Sequence, residues 1–188
     1  MTGIATTALT AFFVTAGVGS TSLPIWTAPA PQALSYPAYQ VTVTGYNATS
    51  GQTDSDPDTT ASGAYADPDV VAARSRDLAD ELPYGTVISI TPSATSSANC
   101  GYGLVDNRVG LRVIADTMSA RMHNKVDILF DTGSHVKVGG KTTSAARALG
   151  VCKNFTVSIV GYIDPAHMPK DQLGLKLALG QTELADSR

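Results

Sequence analysis

Charge is scarce in this chain of 188 residues: Asp, Glu, Lys and Arg make up 15% of it, and the formal net charge is -3. There is no block of Lys or Arg, and the aromatic residues, 6% of the chain, are not interleaved with basic ones. Nucleic acid needs clustered cations for its phosphates and aromatic platforms for its bases, so it is not expected as a partner. Cysteine is limited to Cys100 and Cys152, without a Cys-x-x-Cys spacing, and His123, His135 and His167 lack the spacing of a zinc-binding helix. No metal or cofactor is therefore expected. Long hydrophobic runs are missing too. The apolar stretch from Ile4 to Val18 falls short of the ~20 residues that cross a bilayer as a helix.

That stretch reads instead as the apolar part of a signal peptide, followed by small residues (Ala28, Ala30, Ala33) at which a peptidase could cut. No Lys or Arg precedes it. Residues 19–38 are rich in Pro, Ala and Ser and read as a linker. The expectation is an exported protein of the cell envelope or the medium, touching a membrane only through this segment. A folded domain is expected over residues 39–165, long enough to bury a core without staples. Residues 166–188 read as a weakly amphipathic tail helix, packed outside the core or frayed. In an exported protein Cys100 and Cys152 could pair, closing a loop worth about 3–4 kcal/mol. Two buried thiols are the alternative.

Within the domain the pattern is of short strands. Gln40 to Tyr46 alternates and is rich in β-branched residues, Val70 to Ala73 is a short buried run, and Thr86 to Ile90, Gly110 to Asp116, Lys125 to Phe130 and Phe155 to Val160 complete six. Arg76 to Glu81 reads as a helical turn and Thr143 to Leu149 as a short helix ended by Gly150. Six short strands with irregular loops suit a small closed barrel, because closure removes the sheet edges. The polar segment 47–69, rich in Asp, Thr, Ser and Gly, is the kind of loop that carries function.

Two acids stand out. Asp116 ends one strand and Asp127 lies in the next, eleven positions on, across a short turn. Two strands joined in this way bring both carboxyls to one end of a barrel. Glycoside chemistry needs two carboxyls in one cleft, one of them protonated to assist the leaving oxygen.

Several segments, in order, resemble the three-aspartate (3D) domain family, related to the C-terminal part of membrane-bound lytic transglycosylase A. They are Val43-Thr44-Gly45-Tyr46-Asn47, Thr59-Thr60-Ala61-Ser62-Gly63, Val71-Ala72-Ala73 with Leu82-Pro83-Tyr84-Gly85-Thr86, Asp116-Thr117 through Asp127, and Ala145 to Gly150. Together they span roughly residues 41–161. Met118 stands where the family has glycine, and Met122-His123 where it has Lys-Gly. The resemblance implies a mainly β fold, a six-stranded double-psi β-barrel with short helices. It implies cleavage of peptidoglycan glycan strands. It marks Asp116 as the foremost candidate for the acid, Asp127 in the same groove and Asp77 as the third aspartate, with Asp80 its rival. Thr60, Thr117 and Tyr46 are the substrate-binding candidates.

Two other readings compete. Asp131-Thr132-Gly133-Ser134 matches the aspartic-protease signature, but it occurs once, and a turn ending a strand explains it more simply. A barrel of this shape can also serve as a non-catalytic polysaccharide-binding or wall-loosening module.

Overall fold

The computed structural model describes residues 36–53, 56–93 and 100–186, with side chains to residue 180. The apolar segment and nearly all of the linker expected over residues 1–38 lie outside the described residues. Eight strands are β1 (Ala38–Asn47), β2 (Val71–Arg74), β3 (Thr86–Pro92), β4 (Arg112–Thr117), β5 (Lys125–Phe130), β6 (His135–Val138), β7 (Lys141–Ser144) and β8 (Cys152–Tyr162). The two α-helices among the described residues are α1 (Ala145–Leu149) and α2 (Gln172–Asp186).

Six strands close into a mixed barrel in the order β1-β5-β2-β4-β3-β8, so the fold is mainly β. β1 runs parallel to β5 and β2 parallel to β4, and the remaining pairs are antiparallel. Alternate residues feed two apolar clusters, one on each face of the wall. Val41, Val43, Ala72, Ile114, Val126 and Ile128 belong to one, and Tyr46, Val71, Ala73, Val113 and Leu129 to the other.

The chain's bends are set by a few residues. Gly85 has φ +88, and a Cβ there would sit 2.3 Å from the carbonyl oxygen of Ile163, whose N–H donates to Gly85. Only glycine fits that turn. Arg112 opens β4 fully buried, and its guanidinium donates to the carbonyls of Pro68, Arg108, Val109 and Leu129. It binds three stretches of backbone together, and burial pushes its pKa down to about 10. Among the described residues no buried side-chain nitrogen or oxygen is left without a partner. Cys100 and Cys152 are joined in a disulfide.

Three segments differ from the sequence reading. β6 and β7 form a separate two-stranded hairpin across Gly139-Gly140, both at positive φ, where no strand was expected. β7 takes Thr143 and Ser144, so α1 begins two residues later than read, with the Ser144 hydroxyl accepting from the Arg147 N–H. The tail helix is not peripheral. Asp171 caps it by accepting from the Gly174 N–H, Gln172 exchanges two hydrogen bonds with the Leu111 backbone, and Leu175 is fully buried.

Candidate active site

The site is built from one row of residues across four neighbouring strands. Thr44 of β1 is in register with Asp127 of β5, and Asp127 with Ala73 of β2. Ala73 is in turn in register with Asp116 of β4. The last pairing depends on an irregularity. Ala72 pairs with Ile114, but the register slips before Ala73, which meets Asp116 instead of Ala115. A one-residue slip moves a side chain to the other face, so this bulge brings Asp116 onto the face that carries Asp127. The bypassed carbonyl of Ala115 accepts the N–H of Ser62 and ties the loop after β1 to the barrel. Ala73, between the two acids, has almost no side chain and leaves the space between them open.

That space belongs to a groove of about 920 Å³, within the usual range of ligand sites. Asp116, Asp127, Ala73, Tyr46, Thr117 and Tyr84 line it, together with Arg74, Arg76 and Arg121 and an uncharged stretch formed by Gly51, Gln52, Thr53 and Thr59.

The two acids have different surroundings. Asp116 accepts from the Tyr46 hydroxyl at 3.0 Å, the Ala61 N–H at 3.0 Å and the Thr117 N–H at 2.8 Å. Burial and the adjacent carboxylate push the Tyr46 phenol up, so it stays a donor. Asp127 is enclosed by the barrel wall and accepts from the Thr44 hydroxyl at 2.8 Å. Burial raises its pKa from 3.8 to about 6; the Thr44 hydrogen bond and Lys125 oppose the rise, and the charge of Asp116 adds to it. One carboxyl is thus held by three donors and the other keeps its proton to a higher pH than an ordinary aspartate, up to about 6.

Two expected site residues lie elsewhere. Asp77 does not line the groove: its Oδ2 accepts from the Asn124 N–H at 2.9 Å and lies 4.0 Å from the His123 ring. The Ser75 hydroxyl, the Asn124 N–H and His123 hold its pKa low. Asp77 fastens the turn between β4 and β5, because the sharp entry at Asn124 (φ 49) needs an acceptor there. Its rival Asp80 is exposed and also outside the groove. Thr60 is buried, its hydroxyl spent on the Ala64 carbonyl and Ser62 in closing its own turn. The backbone N–H of Ala61 reaches Asp116 instead. Thr117 does face the groove, where its hydroxyl bonds that of Tyr84. Asp131 sits on an exposed turn, accepting from Gly133 at 2.6 Å, and lines a separate recess of about 390 Å³.

Thr44, Ala73 and Arg74 were missed as site residues. Thr44 and Ala73 lie in segments that read as strands, and the period-2 rule puts them on the same faces as Tyr46 and Val71; no local signal pairs them with the acids. Arg74 donates to the Leu82 carbonyl and lies 5.0 Å from the centre of the Tyr84 ring, fixing that ring at the groove edge. No group of three or more His, Cys, Asp or Glu among the described residues is arranged as metal ligands. No protein-family model matches the chain, and comparison with curated proteins finds no match.

Proposed function

We propose that this protein cleaves peptidoglycan glycan strands as a lytic transglycosylase of the 3D-domain type, exported to the cell envelope, with Asp127 as its acid. The observation that carries the reading is the pair of carboxyls flanking Ala73 in one groove, with the pKa of Asp127 raised by burial. The interleaved parallel pairs, β1 with β5 and β2 with β4, support the double-psi form of the barrel.

The chemistry follows from the two environments. The Asp127 carboxylic acid gives its proton to the glycosidic oxygen as the bond from C1 of the muramyl sugar breaks. Positive charge develops at C1, on the side of the groove lined by Asp116. The Asp127 carboxylate then takes the proton of the muramyl 6-hydroxyl, whose oxygen closes onto C1. The acid is regenerated, a 1,6-anhydro ring forms and no water is consumed. The sequence favoured Asp116 as the acid. Three donors hold the Asp116 carboxyl, whereas burial raises Asp127 to about 6, and this reading therefore gives the acid's role to Asp127.

The test is digestion of purified sacculi by the full chain, with mass spectrometry of the soluble products. Anhydro-muropeptides are expected. Asp127→Asn should lower their release at least 100-fold, the usual share of a general acid, while circular dichroism stays unchanged. The rate should fall as pH rises through about 6, where Asp127 loses its proton. Intact sacculi with protein bound would replace the enzyme with a binding module, and an active Asp127→Asn variant would overturn the assignment of the acid.

A further inference from the structure

We infer that the groove selects glycans whose muramyl side chain carries a carboxylate, recognised by Arg76 and Arg121; this rests on the reading of the groove as a glycan site. The chain has 13 Lys and Arg in 188 residues, yet three arginines line this one groove. Arg74 is occupied: it is buried, bonded to the Leu82 carbonyl and packed on Tyr84. Arg76 and Arg121 are not. Both are exposed, and neither guanidinium makes a hydrogen bond or ion pair among the described residues.

The cation that bears on Asp127 is Lys125, not either of these arginines. Arg76 follows β2 and Arg121 lies in the turn between β4 and β5, so each stands just beyond the end of a strand that carries part of the row. The stretch Gly51, Gln52, Thr53 and Thr59 is uncharged. The groove therefore combines free guanidiniums with neutral polar groups.

A guanidinium pairs with a carboxylate in a fork-to-fork geometry that a neutral sugar cannot offer. N-acetylglucosamine has no anionic group. N-acetylmuramic acid carries a lactyl ether at O3, which is a carboxylate when bare. When it is amidated to a stem peptide, the peptide supplies further carboxylates along the same branch. Either form would orient the strand, with the muramyl branch at the arginines and the scissile bond at Asp127.

The experiment is calorimetric binding to the full chain carrying Asp127→Asn, which blocks turnover. Three oligosaccharides of equal length are compared: an unsubstituted chitooligosaccharide, a muramyl oligosaccharide with bare lactyl groups, and the same with stem peptides. A carboxylated ligand should bind about tenfold tighter than the neutral one, the size of two exposed ion pairs, and salt should shrink the gap. Arg76→Gln with Arg121→Gln should collapse that ratio without altering the melting curve. Preference for the bare lactyl form would put this protein after an amide hydrolysis that strips the peptide from the strand. Preference for the peptide-bearing form would put it before that step. Equal binding of neutral and carboxylated ligands overturns the inference, whether or not sacculi are cleaved. Selective binding by a protein whose wild type never cuts sacculi leaves the anionic-glycan site standing and overturns the enzyme.

Discussion

A single carboxyl sets the pH response of the site. Burial pushes the Asp127 carboxyl up from the ordinary 3.8 to about 6 in the folded protein. The folded state therefore holds this proton more tightly than the unfolded one. Its contribution to stability is fully present below pH ~4 and is lost as pH rises through about 6, at a cost of about 2–3 kcal/mol by pH 8. Asp127→Asn keeps the acceptor for the Thr44 hydroxyl and removes the charge. Urea denaturation should find the variant about 2–3 kcal/mol more stable than wild type at pH 8 and equal to it at pH 4. An equal effect at both pH values would mean that Asp127 is not desolvated. The pair of acids was legible in the sequence because they fall eleven residues apart, one at the end of a strand and one early in the next. Their different environments were not, because burial at Asp127 and the slip that aims Asp116 arise from strands distant in the chain.

At the scale of elements, legibility followed the strength of local patterning. Lys125-Val126-Asp127-Ile128-Leu129-Phe130 alternates until its last residues and forms β5 with the boundaries read. The hairpin of β6 and β7 was overlooked although its signal is present, two glycines between Val136-Lys137-Val138 and Lys141-Thr142-Thr143. The tail was underrated for another reason. Its apolar stripe is weak, with Leu173 and Leu177 exposed, and the inward contacts come from the fully buried Leu175 and the half-buried Leu179. Gln172 then works as a substitute strand edge against Leu111. Such an anchor depends on tertiary geometry and has no sequence period. Leu175→Ala should cost about 2–4 kcal/mol, as truncating a buried leucine does, whereas Leu177→Ala should cost under ~0.5 kcal/mol. Equal costs would show that α2 does not contribute to the core.

The whole molecule is a closed ring of non-local pairings. Its first barrel strand lies between β5 and β8, so the ring shuts only when distant parts of the chain have met. Ordering so many separated segments is the main entropic cost of this fold. The disulfide offsets part of it. Cys152 opens β8 fully buried, and Cys100, 52 residues earlier, lies in the connection between β3 and β4. The bond therefore ties the closing strand to a long connection whose Gly101 N–H already donates to Leu149. Shortening the unfolded chain by a loop of this length is worth about 3–4 kcal/mol. For a domain of this size that corresponds to a fall of about 10 °C in Tm when the bond is lost. Thermal melts of wild type with and without reductant, and of Cys100→Ala with Cys152→Ala, should show the same fall. The two treatments must agree, apart from the smaller cost of removing the buried Cys152 sulfur, if chain entropy is the cause. An unchanged Tm in both would mean that the ring closes without the crosslink. The expected fall ties the protein's stability to an oxidising compartment, as the proposed export to the cell envelope requires.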